Sequence, residues 1–319
     1  MVGYIAGILG GLIVSMALWW GPGTAAAEEA TGPSRSDYMT LARTGWVFDI
    51  HSSRMRRDPD FPPVRFDSTE VAIGVVCLFG DPPHALPLQI IEDFTALLHN
   101  VYGRSLNVRF AGANISDCPP RPRVFIRLYT GVPPLARFNA DLRHMDREFD
   151  IRFPPNWSEP VVSPGQANGF FGRNGAAAHL LISQPPEGEM SALQRQYYTS
   201  LLVEELFQVV SFGMDILKFD RETPFYSKLQ EYPVNLRYLP WHSEAYMTGL
   251  LASNPHGLCG FDIFMLHALA AARLETTNSL ELLKYIETHF NGLRKRTAMT
   301  LSDRRFALML DARCRDIPE

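Results

Sequence analysis

The sequence predicts an α+β protein, a twisted mixed sheet packed by helices with a helical C-terminal part, and three observations lead there. Short, largely apolar runs recur at 71–79, 123–129 and 176–183, the length and composition of buried strands. Between them, Leu88, Ile91, Phe94, Leu97, Leu98 and Val101 fall at helical spacing, so 87–102 reads as an amphipathic helix. Beyond residue 260 the apolar patterns are helical throughout.

Composition narrows the function classes. The chain has 319 residues, of which 46% are hydrophobic, enough for one large domain with a substantial core. Its 30 basic and 34 acidic residues are interspersed, with a net charge of -4. A nucleic-acid binder would show a basic stripe against phosphates, and a membrane-surface module a polybasic cluster; neither is present, so no nucleic-acid partner is expected.

The N-terminus carries an uncharged apolar run over 5–20 and then Ala25-Ala26-Ala27. The run is shorter than the roughly 20 residues of a spanning helix, and the alanines fit the small-x-small cleavage pattern. Residues 1–27 read as a signal peptide with Glu28 as the mature N-terminus, which places the protein in the periplasm or outside the cell. The absence of Lys or Arg before the run leaves an uncleaved anchor open, and this segment is the only membrane contact expected. Cys77, Cys118, Cys259 and Cys314 allow two disulfides in three pairings, or free buried thiols.

Along the chain, 28–69 reads as an extended arm and 70–319 as the folded domain. Pro87 suits the first turn of the helix at 87–102 and Gly103 closes it. Strands are expected at 106–110 and 123–129. The Pro-, Gly- and Asn-rich stretch 131–174 reads as irregular, with Gly169, Gly172 and Gly175 in a loop. A strand at 176–183 is expected at the sheet edge. A helix follows at 191–212, where Ser191 and Gln194 have capping-box spacing. Residues 220–256 read as irregular. Helices are expected at 261–273, at 279–290 (stopped by Asn291-Gly292), and at 302–312.

The chemistry is concentrated at Glu204-Glu205-Leu206-Phe207-Gln208 in the helix at 191–212. Glu204 and Gln208 are four apart and project from one face. In the metal-binding motif HExxH the same spacing puts two imidazoles on one zinc ion, with the intervening Glu as general base. Here the imidazole positions are Glu204 and Gln208, and the base position keeps its acid in Glu205. Two adjacent carboxylates repel, so one must be protonated, paired with a base, or near a cation. His179, alternating with apolar neighbours, reads as a packed or edge histidine, and His242 as a solvated loop histidine.

The succession strand, helix, strand, strand, strand, helix, with the acidic motif on the second helix, resembles the N-terminal half of zincin peptidases. In metzincins the motif continues as xxGxxH; here Ser211 stands at the glycine position and Met214 at the third ligand, with Asp215 just after. Gly260-Phe261-Asp262-Ile263 is similar to the start of the metzincin C-terminal helix. The closest resemblance is to the bacterial family called domain of unknown function 2927, whose E-E-x-x-Q motif is matched by Glu204, Glu205 and Gln208, with Asp215 and Asp262 also matching. Ser211 and Met214 depart from it. The resemblance implies an exported, zincin-like fold and no known reaction.

Three functions are expected from these residues. The first is a polypeptide-binding protein with little or no hydrolysis, Glu204 and Gln208 contacting the bound chain along an edge strand beside the motif helix and Glu205 a relic or an anchor for a peptide amine. The second is a hydrolase in which Glu205 is the catalytic base and one divalent cation is held by Asp215 with Glu204 and Gln208, an oxygen-only set suited to a harder ion than zinc. The third is a structural module of the cell envelope. The expected cofactor is accordingly none or one divalent cation.

Overall fold

A strand whose six residues are all buried, β3 (Val124–Tyr129), sets the middle of the fold. Val124, Ile126 and Leu128 enter one core, and Phe125 and Tyr129 the other, as alternation along a strand covered on both faces requires. The structure is a computed structural model that describes residues 32–47, 75–104, 107–120, 122–274 and 280–318. The expected signal peptide, and residues 48–69 of the expected arm, lie outside the described residues.

The remaining elements are β1 (Val75–Gly80), β2 (Asn107–Gly112), β4 (Gly165–Gly172), β5 (Gly175–Ser183) and two short strands, β6 (Ile216–Leu217) and β7 (Gln230–Glu231), with helices α1 (Arg35–Trp46), α2 (Ala85–Tyr102), α3 (Leu135–Phe149), α4 (Ala192–Ser211), α5 (Glu244–Ser253), α6 (Gly260–Ala272) and α7 (Leu280–Leu301). The five-stranded sheet has the order β2-β1-β3-β5-β4. Its first three neighbouring pairs are parallel and β4 runs antiparallel to β5. The other six described helices lie on one side of the sheet, and α3 packs against the other face through Phe138, Leu142, Met145 and Phe149. The fold class is therefore α+β with a mixed sheet, as the sequence predicts.

Several segments depart from the sequence reading. The expected extended arm contains α1, started by a Ser34–Asp37 capping box and burying Tyr38, Leu41, Ala42 and Trp46 along one side. Tyr38 packs edge-on against Phe261 and Phe264 at 4.9 and 5.1 Å, contacts from distant sequence that local composition does not reveal. The stretch 131–174 is not irregular: it holds α3, whose apolar stripe is one residue wide among charges, and β4, which contains Gly169 and Gly172. Strand β5 is interior, and β4 is the edge strand. Residues 220–256 contain β7 and α5. Helix α7 runs through Asn291 and Gly292, because Leu293, Thr297, Thr300 and Leu301 are buried further on and this packing outweighs the roughly 1 kcal/mol cost of a helical glycine. The expected helix at 302–312 is replaced by two 3-10 turns, Arg304–Met309 and Ala312–Cys314.

On the α3 side the core contains a polar cluster. Arg127 bonds both oxygens of Asp141, the Nη2–Oδ1 distance being 2.8 Å, and His179 Nε2 lies 3.3 Å from Asp141 Oδ2. His179 is thus a packed histidine, fully buried. Burial favours the neutral acid at Asp141, but the bonds from Arg127 and His179 outweigh it and hold the carboxyl below its usual range.

The four cysteines pair as Cys77–Cys118 and Cys259–Cys314. Such bonds form and persist in oxidising compartments. No helix of the described residues is long and apolar enough to cross a membrane. The second disulfide closes a separation of 55 residues and ties the C-terminal segment to the start of α6. Replacing both partners (Cys259→Ala with Cys314→Ala) is expected to lower unfolding free energy by about 4 kcal/mol, measured by urea denaturation against the wild type.

Candidate functional site

Helix α4 begins where Ser191 Oγ accepts from the Gln194 main chain and Gln194 returns a bond to Ser191, the capping box the spacing predicts. Its motif acids lie in the last two turns. The helix ends at Ser211, and Phe212 takes the left-handed conformation with φ 54°, one residue beyond the position of the metzincin glycine. A left-handed phenylalanine is costly; here its ring fills the space above Gly169. The turn is clamped from α1, as Trp46 Nε1 donates to Ser211 O at 3.1 Å and Met214 N to Gly45 O at 3.0 Å.

Strand β4 lies alongside α4 because its facing residues are small. A Cβ at Gly165 would sit 2.9 Å from both Glu205 Oε1 and Leu201 Cδ1, and one at Gly169 2.7 Å from the Phe212 ring. Register shows where its main chain points. Ser183 N donates to Pro164 O, so 166, 168, 170 and 172 turn their polar groups to β5 and 165, 167, 169 and 171 turn theirs to the open edge. Between that edge and the end of α4 lies a cavity of about 300 Å³, lined by Ala167, Gly169, the rings of Phe171 and Phe212, Gln208 and Asp215.

The motif residues divide around the helix. Glu205 is buried against β4, where one oxygen accepts from the Ala167 N–H and Oε2 has no partner. Burial, then the carboxylates of Glu204 and Asp215, push its acidity constant well above the usual value. Gln208 Nε2 donates to Asp215 Oδ1. Crowding by protein, then Glu204 and Glu231, raises Asp215 to about 7. Asp215 keeps substantial side-chain surface in water at the cavity mouth, so solvent screens part of this shift. On β7, Glu231 is raised by burial and by Glu204.

Glu204 makes contacts that the motif spacing does not reveal. Its Oε2 lies 2.9 Å from Lys228 Nζ, and Asn254 Nδ2 donates to Oε1 and Oε2 at 3.0 and 2.8 Å. Lys228 is fully buried. Asp262, at the start of α6, pins its main chain by accepting from Ser227 Oγ at 2.6 Å and from Lys228 N and Cys259 N at 2.7 Å. Burial raises Asp262 to about 7 against the opposing pull of these donors. Neither Lys228 nor Asn254 was found from sequence. The available signal is composition: only four of the 30 basic residues are lysines, and Lys218 and Lys228 are buried.

The zincin resemblance implies a metal ion on this helix, and the residues present do not fit one. Imidazole ligands are absent from the motif, both Glu204 oxygens are engaged by Lys228 and Asn254, and Asp215 is bonded to Gln208 rather than grouped with other free carboxylates. Among the described residues no set of three or more His, Cys, Asp or Glu side chains is arranged to hold a metal. His242, by contrast, meets the Tyr198 hydroxyl at 3.1 Å from its exposed loop.

Glu205, Asp215, Glu231 and Asp262 all have acidity constants raised by the fold. For such groups the folded state binds more protons than the unfolded one, so stability falls as pH rises from the unfolded value near 4 towards about 7. Asp311, lowered to about 2 by bonds from Arg313 and His256 that overcome burial, acts in a separate window: its contribution is lost as pH falls from about 4 to 2. The melting temperature is therefore expected to be higher at pH 5 than at pH 8, and Asp215→Asn to flatten that slope, as read by calorimetry across the range.

No family model, curated protein or solved structure matches this chain.

Proposed function

We propose that the protein is an exported, zincin-like polypeptide-binding protein that lays an extended segment along the open edge of β4, without a metal ion and without hydrolysis. The observation that carries this reading is the cavity faced by strand main chain. Edge N–H and C=O groups of β4 look into it, and an extended peptide pairs with such an edge through its own backbone. The rings of Phe171 and Phe212 and the Gln208–Asp215 pair at the same cavity supply side-chain contacts. Two disulfides support a periplasmic or secreted location. The EExxQ motif on a helix running beside an edge strand supports the zincin-like reading.

The hydrolase alternative asks Glu205 to be a general base. A base must be ionised near the working pH, and burial with the neighbouring Glu204 and Asp215 pushes the Glu205 carboxyl well above its usual value, against ionisation. A purely structural module gives no reason for a cavity beside an edge strand. In the proposed reading Glu205 braces the Ala167 main chain and so sets the line of the edge.

Hydrogen–deuterium exchange with casein-derived peptides tests the proposal. Added peptide is expected to protect the edge-facing Gly169 amide of β4, with the protection surviving EDTA and the peptide recovered intact. Protection confined to other strands, or peptide cleavage abolished by Glu205→Gln, would overturn it.

A further inference from the structure

Lys228 Nζ lies 2.9 Å from Glu204 Oε2, 3.0 Å from Ser200 Oγ and 2.7 Å from Pro255 O. These three oxygens use all three donors of an ammonium group. They come from a carboxylate, a hydroxyl and a main-chain carbonyl, the donor types that hold a hard cation. Asn254, which braces Glu204, is itself buried and leaves its Oδ1 without a partner beside this shell. The cage draws on α4, on the loop before α6 and, through Lys228 itself, on the loop that Asp262 fixes.

We propose that the Lys228 ammonium is the resident cation of this site, seated in an oxygen cage that it closes to metal ions, and that it positions Glu204 against Asn254. A mobile ion would leave Glu204 free to change partners; a tethered ammonium does not exchange. Lys228 is a positioning residue, acting through Glu204. The inference deepens the metal-independent part of the binding reading but stands on the cage alone, so failure of peptide binding leaves it untouched.

Cation rescue tests it. Lys228→Ala removes the ammonium and leaves space for a replacement. Its melting temperature is expected to fall by about 10 °C, the scale set by an unpaired buried charge. Propylammonium chloride or calcium chloride is then expected to restore part of the loss, and neither to shift the wild type. Glu204→Gln combined with Lys228→Met removes both charges, so this variant is expected to fold, to melt closer to the wild type than Lys228→Ala, and to ignore both cations. If the single variant does not fold, the double variant decides: its folding supports the pair and its failure overturns it. Equal shifts in wild type and Lys228→Ala, or a folded Lys228→Ala that responds to neither cation, would also overturn the proposal.

Discussion

The contact between Lys228 and Glu204 constrains the rest of the site. A charge buried without a partner is heavily penalised, and a buried pair is tolerated only when its remaining donors and acceptors are satisfied. Here Ser200, Pro255 and Asn254 satisfy them, the first from α4 and the other two from the segment between α5 and α6. Asp262 extends the constraint to α6 by gripping the 227–228 loop through its main chain. The start of α6 is in turn tied to the C-terminal segment by Cys259–Cys314. One ion pair thus couples α4, α5, α6 and the C-terminus.

The second constraint is close approach. Helix α4 lies against β4 because β4 presents Gly, Ala and Gly on the facing side, and larger side chains there would collide with Leu201, Glu205 and Phe212. The same small residues expose strand main chain to the cavity. Tight packing and an accessible edge are therefore two results of one sequence pattern, and α1 holds the geometry by clamping the turn at Ser211–Met214.

The parts of the fold that the sequence revealed are those with wide apolar surfaces. Strands β1, β3 and β5 and helices α2, α4 and α6 are apolar enough that burial is legible from composition and period. Helices α1 and α3 bury one narrow stripe among arginines and aspartates, and β4 is built from glycine and alanine, so each resembles a loop when read locally. Their structure is set by what they pack against. The candidate site divides the same way. Glu204, Glu205 and Gln208 were found because helical spacing is local. Lys228 and Asn254 were missed because they meet Glu204 from 24 and 50 positions away, and no local pattern encodes that meeting.

Counting charge gives the proposed binding reading its electrostatic basis. Glu204, Glu205, Asp215 and Glu231 converge with Lys228 as the cation facing them. Four ionised acids against one ammonium in a partly dry cleft would repel strongly, and burial together with this repulsion pushes the acidity constants of Glu205, Asp215 and Glu231 upward. A hydrolytic site needs a base that is ionised and a centre that stabilises developing negative charge. At the base position burial pushes Glu205 well above the usual carboxylate value, and the Lys228 ammonium has its donors spent on internal oxygens. What stays available is uncharged or partly charged: strand main chain, two aromatic rings and an amide–carboxyl pair. Those are the groups through which the proposed reading has a peptide backbone held.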